Sequence, residues 1–248
     1  MARELTKQQL AERSLIKKYR KELWNPFIAC IKRYQLVNDG DRIAVAVDGT
    51  LPSMLTAKLL QQLQRVSETV FSPEIILLAP PFDSAAEANR QLLNLSGTVV
   101  TAEAASSPEA LLAQCGCNKL AYGACRTDTV ETVLVSMLFR GTVEAFLPKV
   151  TLADGGEIIY PLYCTERSAM ADWARYNGLH FSDAPKTRER AAAEALLADL
   201  KKSNPDVERN VFQSLHAVCR DTLPGYVQDG ESHRFSERFD RLSEGDEK

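Results

Sequence analysis

A short loop after an apolar run is the first place in the chain where chemistry could occur. Residues 42–47 form a continuous apolar run after the turn signal Asn38-Asp39-Gly40-Asp41, and a helical pattern covers residues 53–66. Backbone N–H groups of a tight loop at a helix N-terminus can hold phosphate oxygens. The sequence therefore predicts a ligand-binding loop here, formed by Asp48, Gly49, Thr50, Leu51, Pro52 and Ser53.

A second candidate loop follows a later apolar run, residues 119–122, and precedes a helical pattern over residues 128–139. Its candidate ligand residues are Gly123, Cys125, Asp128 and Glu131. A thiol near a helix N-terminus would have a lowered pKa, which leaves a sulfur-carrying or redox role open for Cys125. The favoured interpretation is that Cys125 is only a small packing residue, and that Asp128 and Glu131 are polar residues of the first helical turn.

Strand and helix patterns alternate through the elements that must position these loops. Strands are predicted at 42–47, 75–78, 98–101 and 119–122, and helices at 53–66, 84–95, 107–114 and 128–139. This alternation is typical of right-handed βαβ units in an α/β, doubly wound, mostly parallel sheet of Rossmann-like type. Ligands of such sheets bind at the carboxyl ends of the strands, so both loops should lie at one edge.

The remaining patterns place helical extensions on both sides of this sheet. Residues 5–35 are predicted to be helical with a break at Pro26, a further strand is predicted at 157–160, and helices at 166–177, 187–202 and 206–219. We divide the chain into a helical segment (1–38), the α/β domain (39–180), packed C-terminal helices (181–227) and a flexible charged tail (228–248).

Charge and composition restrict the class of protein. The 248 residues carry a formal net charge of -3, with no apolar run long enough for a signal peptide core or a membrane span. A cytoplasmic protein with six reduced cysteines and no membrane partner is therefore expected. One basic stretch stands out, and it is either a solvated helix face or a surface for RNA or a dimer partner: Lys17, Lys18, Arg20, Lys21, Lys32 and Arg33.

The motifs together resemble the tRNA 2-thiocytidine synthetase family of PP-loop proteins. Residues 116–132 are similar to the family pattern G-x-N-K-[IL]-A-x-G-H-H-x-x-D-x-x-E-T, and the resemblance continues through residues 146–149, 160–163 and 173–178. It covers most of residues 10–225. The resemblance implies the adenine nucleotide alpha hydrolase fold, with ATP, Mg²⁺ and tRNA as ligands. It also implies adenylation of a nucleobase oxygen, sulfur insertion, and an iron–sulfur cluster held by cysteine pairs.

The first loop departs from the family sequence Ser-Gly-Gly-Lys-Asp-Ser at four of six positions. Asp48 introduces an anion that can occupy the loop N–H groups as an N-cap, and Thr50 tolerates a positive φ poorly. Leu51 replaces the phosphate-directed cation, while Pro52 replaces the Mg²⁺ ligand and suits the first turn of a helix. These changes predict a degenerate PP-loop without ATP cleavage, so that ATP and Mg²⁺ are cofactors only if the loop still binds nucleotide.

Other departures from the family pattern also indicate that the chemistry of the family is lost. The paired histidines of the family pattern are Ala124 and Cys125 here, and the expected C-x-x-C pairs are missing, since Cys115 and Cys117 have another spacing. No iron–sulfur cluster or other metal site is predicted. The segment Asp48-Gly-Thr-Leu51 also fits a haloacid-dehalogenase phosphatase, but Ala46 stands where its nucleophile is needed. The three histidines (His180, His216, His233) form no ligand pattern.

Two functions remain. The chain is either a non-catalytic binding or regulatory paralogue, with tRNA or another protein as partner, or an ATP-dependent tRNA thiolation enzyme with an atypical loop.

Overall fold

A computed structural model describes residues 5–78, 82–100, 106–182 and 185–236. Its centre is a six-stranded sheet in the order β3-β2-β1-β4-β6-β5. The strands are β1 (Arg42–Val47), β2 (Ser72–Leu78), β3 (Thr98–Val100), β4 (Lys119–Ala121), β5 (Lys149–Thr151) and β6 (Glu157–Ile159). Five strands are parallel, and β5 pairs antiparallel with β6 at one edge. The predicted mostly parallel α/β sheet is confirmed, whereas β5 was not predicted.

Nine α-helices occur in the described ranges and account for the layers around the sheet. They are α1 (Lys7–Ile16), α2 (Asn25–Tyr34), α3 (Leu51–Val66), α4 (Ser84–Leu92), α5 (Pro108–Cys115), α6 (Arg126–Val135), α7 (Arg167–Tyr176), α8 (Arg188–Ser203) and α9 (Val207–Ser214). Single π-helical turns lie at Arg20–Trp24, before α2, and at Ser136–Arg140, after α6.

The central strand β1 is buried on both faces, as its continuous apolar run predicts. Ile43, Val45 and Val47 belong to the larger core, which also contains α3 and α7, while Ala44 and Ala46 face a smaller core under α5. The chain leaves β1 towards β2 and β3 and then returns to β4 on the other side of β1. This reversal is the topological switch point, and the loops after β1 and β4 flank it.

The motif around Asn118 and Lys119 holds the opposite, amino-terminal edge of the sheet. Lys119 is 2% exposed, and its Nζ lies 2.8 Å from Asp41 Oδ2 and 2.9 Å from Glu157 Oε2. The Asn118 side chain accepts from the Arg42 N–H and donates to Asp41. This part of the family-like motif therefore joins β1, β4 and β6 and is structural.

The terminal segments differ from the predicted patterns in detail. The long N-terminal helix is divided, and α2 restarts at Asn25 with Pro26 in its first turn, where a missing N–H costs nothing. At the other end, Gly225–Gln228 (β7) and Glu231–Arg234 (β8) pair as an antiparallel hairpin that includes the start of the predicted tail. Residues 237–248 of that tail and Thr101 of the predicted third strand lie outside the described residues.

Candidate functional site

The loop after β1 turns on Gly49, which has a φ of 89°. Thr50 follows in an extended conformation, with a φ of -79°, and is the N-cap of α3. The expected strain at Thr50 is therefore wrong, because the single left-handed position falls on the glycine. The expectation that Asp48 is the N-cap is also wrong by two residues, while Pro52 does occupy the first turn of α3.

The Asp48 carboxylate nevertheless folds back onto the loop. Its Oδ1 accepts from the Thr50 backbone N–H at 3.0 Å and from the Thr50 hydroxyl at 2.7 Å. The Ser53 hydroxyl accepts from the Asp48 N–H at 3.3 Å, and the Ser53 N–H points to Thr50 Oγ1 at 3.5 Å. Several N–H groups that a phosphate would use are thus directed at side chains of the loop itself. Pro52, at the position where the resemblance implies a metal ligand, has no side-chain oxygen to offer Mg²⁺.

Gly123 brings the second loop against the first. A Cβ placed on Gly123 would lie 2.4 Å from the Pro52 carbonyl carbon and 2.4 Å from the Ser53 nitrogen. Real Cβ atoms do not approach backbone atoms this closely, so the contact requires glycine. The two predicted loops therefore meet at the carboxyl edge of β1 and β4, as the sheet topology demands.

Cys125 is fully buried and is the N-cap of α6. Burial raises the pKa of its thiol, and the nearby Asp128 carboxylate raises it further. The prediction of a lowered pKa is wrong, because desolvation of a thiolate outweighs the helix N-terminus and the partial opposition of Arg167. The thiol of Cys125 is thus buried, and its pKa is raised.

Asp128 and Glu131 form ion pairs with two arginines. Arg167, the first residue of α7, donates to Asp128 Oδ1 at 2.7 Å and also forms two hydrogen bonds to the Glu131 carboxylate. Arg190 of α8 donates to the same two carboxylates. Glu131 is 1% exposed. The description of these acids as polar first-turn residues is therefore incomplete, since the carboxylates are held in ion pairs among three helices.

A neighbouring ion cluster continues this arrangement to α9. Glu208 is buried and accepts from Thr127 Oγ1 at 2.9 Å, Arg126 Nε at 3.1 Å and Lys201 Nζ at 2.5 Å. Arg126 and Lys201 also pair with Glu166 at 2.8 and 2.9 Å. The C-terminal helices are thus tied to the first turn of α6 by charge as well as by packing.

Sequence reasoning missed Arg167 and Arg190 as partners of the second loop. They follow it by 36 to 62 positions, so helical periodicity could not connect them to it. The sequence offered one signal that these arginines have acidic partners, which is their position at or near the start of a helix. A cation there is unfavourable for the helix dipole and implies a compensating acid nearby.

The two cysteines that are nearest each other in the sequence lie away from the candidate loops. Cys115 and Cys117 lie just before β4, beside Arg42 and Glu74 at the amino edge of the sheet, and thus at the opposite edge from the two loops. No group of three or more metal-ligating side chains occurs within residues 5–78, 82–100, 106–182 and 185–236. All six cysteines are unpaired.

The histidines are dispersed. His216 contacts the Tyr34 hydroxyl and the Phe212 carbonyl oxygen, both at 3.0 Å, and His233 stacks on Tyr226. The His180 backbone is bonded to Asn89. None of these contacts brings a histidine to the loop of residues 48–53.

The basic stretch near the N-terminus is exposed at all six of its side chains. Lys18 lies over the Tyr176 ring, with its Nζ 3.5 Å from the ring centroid. Across the described ranges, none of the six cations belongs to an ion pair. In those same ranges no helix is both long and apolar enough to span a bilayer.

These features define an α/β protein of the PP-loop class, with a glycine-centred loop at the switch point of a mostly parallel sheet. A solved U34-tRNA thiolase from Methanococcus maripaludis has the same fold, with a TM-score of 0.59 and 14% identity, covering 83% of this chain and 80% of that one. No family model matches the chain.

Sequence relatives define the family of this chain more narrowly than the fold does. The chain is 30% identical to the tRNA-cytidine(32) 2-sulfurtransferase of Geobacter sulfurreducens, over 86% of this chain and 95% of that protein. It is also 30% identical to the corresponding enzyme of Geobacter metallireducens, over 89% and 97% of the two chains. The chain belongs to the tRNA-cytidine(32) 2-sulfurtransferase family.

Proposed function

We propose that this chain is a non-catalytic member of its family, which keeps the fold and a tRNA- or protein-binding role but does not cleave ATP. The proposal depends on one observation. The Asp48 carboxylate stands at the end of β1 and accepts from the N–H and hydroxyl groups of Thr50. A triphosphate would have to displace this carboxylate and then remain beside it.

The electrostatics of the loop argue in the same direction. Two like charges at about 4 Å repel by about 4 kcal/mol at the effective dielectric of a protein surface. Leu51 supplies no cation to offset this repulsion, and Pro52 supplies no carboxylate for a metal ion. Losing one preorganised electrostatic group costs roughly 10²- to 10³-fold in rate, so several such losses together remove useful turnover.

The second loop supports the proposal in part. Ala124 and Cys125 stand where the resemblance implies paired histidines, and Cys125 is buried with a raised pKa. A site that adenylates a base needs groups free to bind the nucleotide or to move a proton. Asp128 and Glu131 match the family pattern and are held in ion pairs with Arg167 and Arg190, so they do not bear on the proposal.

The test restores the family sequence in the loop. The variant carries Asp48→Ser, Thr50→Gly, Leu51→Lys and Pro52→Asp, while Gly49 and Ser53 are unchanged. Calorimetric titration with ATP and Mg²⁺ should give no measurable heat for the natural chain and a measurable dissociation constant for the restored one. The reason is that restoration removes the anion and returns both a cation and a metal ligand.

A matched control separates the effect of the Asp48 charge from the effects of Leu51 and Pro52. Asp48→Ser alone removes the anion but leaves Leu51 and Pro52, so we expect weak ATP binding at most and no pyrophosphate release with bulk tRNA. If the natural chain itself binds ATP at micromolar concentration and releases pyrophosphate, the chain is an active tRNA thiolation enzyme and the proposal is overturned.

A further inference from the structure

Strand β5 has an outer edge that lacks a neighbouring strand in the described part of the chain. It is the last strand of the sheet and pairs only with β6. On the inner side, the Tyr160 N–H donates to the Pro148 carbonyl oxygen at 3.0 Å. Because inward and outward backbone groups alternate along an antiparallel strand, the N–H and C=O groups of Lys149 and Thr151 point away from β6. Backbone groups in this position are a template for another strand.

The two residue types that often protect an edge strand do not block this edge. Natural sheets use lysine or proline for that purpose. The Lys149 Nζ lies 3.2 Å from Glu157 Oε1 of β6, so its charge is compensated within the sheet. Pro148 lacks an N–H, but the missing group belongs to the side that faces β6. Val150 and Thr151 are exposed, and the outer edge is therefore accessible.

Exposed apolar side chains are concentrated in the same stretch of chain, residues 137–150. Six large apolar side chains are exposed there, five of them by more than half: Met137, Leu138, Phe139, Val143, Leu147 and Val150. Such a concentration marks an interaction surface, in contrast to apolar residues that are scattered singly. A stable interface buries about 800 Å² on each partner. A strand of three residues is too short to bury that area alone, so the apolar side chains would have to contribute the rest.

The charges of this stretch favour a second copy of the chain as the partner. Arg140 and Glu144 are both exposed, and neither belongs to an ion pair in the described ranges. A two-fold axis places a residue of one copy against a second residue of the other copy, and the reverse. One cation and one anion on the same stretch can therefore pair twice across the axis. A strongly charged partner such as a nucleic acid would find no excess of one sign here.

We propose that β5 forms the interface of a two-fold dimer, in which it pairs antiparallel with β5 of a second copy. Val150 lies at the two-fold axis, so that Lys149 of each chain faces Thr151 of the other and exchanges both backbone hydrogen bonds with it. The two sheets become one continuous sheet, and the apolar stretches of both copies pack beside the axis. The dimer is independent of the proposed function, since none of these residues belongs to the two candidate loops.

The oligomeric state of the full chain tests the proposal. Analytical ultracentrifugation over a range of concentrations should show a species of twice the 27.5 kDa of one chain. Thr151→Pro removes an outward N–H from each copy and leaves the bonds to β6 intact, so the dimer dissociation constant should rise about tenfold or more. Thr151→Val keeps the N–H and is the matched control, whose dimer should be no weaker. A monomeric natural chain, or an unchanged dimer in Thr151→Pro, would overturn the proposal.

Cross-linking tests the register of the two strands and does not depend on the proline variant. The two copies of Val150 should face each other directly, whereas the two copies of Thr151 are diagonal neighbours and lie farther apart. With glutathione disulfide as the oxidant, Val150→Cys should give a covalent dimer joined at position 150, and Thr151→Cys should stay largely unlinked. Both are made together with Cys219→Ser, because Cys219 is exposed. Failure of Val150→Cys to link, or faster linking by Thr151→Cys, would contradict this pairing.

Discussion

At the scale of the residue, one glycine decides how the two candidate loops meet. Gly123 has no side chain, and this allows the backbone after β4 to lie directly against Pro52 and Ser53. The contact fixes where α3 begins relative to β4. The family-like glycine of the second loop is therefore required for packing, whether or not any nucleotide binds.

We expect Gly123→Ala to lower the free energy of unfolding by about 1 to 3 kcal/mol, because the added Cβ would force the two loops apart. Chemical denaturation measures this change. Gly141→Ala is the comparison, since Gly141 has a φ of 71° but no atom within 4 Å of the position that a Cβ would take, and should cost only about 1 kcal/mol of backbone strain. Because Gly123 has no positive φ, the absence of any loss for Gly123→Ala would mean that the contact with Pro52 and Ser53 is unimportant.

At the scale of the element, ion pairs rather than apolar area alone attach the C-terminal helices to the sheet domain. Arg167 and Arg190 bind the two carboxylates of α6, and Glu208 binds Arg126 and Lys201. Two of these carboxylates, those of Glu131 and Glu208, are buried. Removing one partner of a buried ion pair leaves an uncompensated charge. This destabilises the fold more than replacing both partners by apolar residues does.

We expect Arg167→Met to destabilise the fold by about 3 kcal/mol, since it leaves the buried Glu131 with one partner fewer. Arg190→Met should cost less, about 1 kcal/mol, because the Arg190 side chain is 43% exposed and its pairs are screened by solvent. Urea denaturation of both variants checks the order of the two losses.

Arg175→Met is the matched control for these helices. Its pair with Asp172 is exposed at both side chains, so a change below about 0.5 kcal/mol is expected. A loss for Arg175→Met as large as that for Arg167→Met would show that the charge cluster around α6 has no special role.

At the scale of the whole molecule, the uneven distribution of charge indicates which surface could bind an anionic partner. The chain is acidic overall, at a net charge of -3, yet the six cations of the basic stretch between Lys17 and Arg33 are all exposed. The tRNA-binding role proposed above would place phosphates against this basic stretch, because exposed lysines and arginines neutralise phosphate charge. The inference does not need an active PP-loop.

Replacing Lys17, Lys18, Arg20 and Lys21 together by Gln should weaken binding of bulk tRNA and reduce its salt dependence. For every phosphate that the variant no longer neutralises, the log–log slope of affinity against salt should fall by about one. Fluorescence anisotropy over a range of salt concentrations measures both quantities. Lys202→Gln, an exposed lysine of α8, is the control and should change neither. An unchanged slope in the fourfold variant would exclude this stretch as an RNA-binding surface.

The local patterns of the sequence determined the sheet and the position of its candidate loops. An apolar run as short as residues 42–47 between turn signals has few alternatives to a buried strand, and alternation with helices determines right-handed crossovers. Both loops at the switch point follow from these rules. The functional groups of the first loop are also known from the sequence, because they are the side chains of residues 48–53.

Only the tertiary structure decided what surrounds those residues. The sign of the pKa shift at Cys125 depends on burial, and the partners of Asp128 and Glu131 come from α7 and α8. Strand β5 pairs antiparallel with β6 at the edge of the sheet. A segment of three residues is too short to show a strand pattern in the sequence. Periodicity reports on neighbours within one element, whereas desolvation and ion pairing depend on contacts between elements that the chain brings together only by folding.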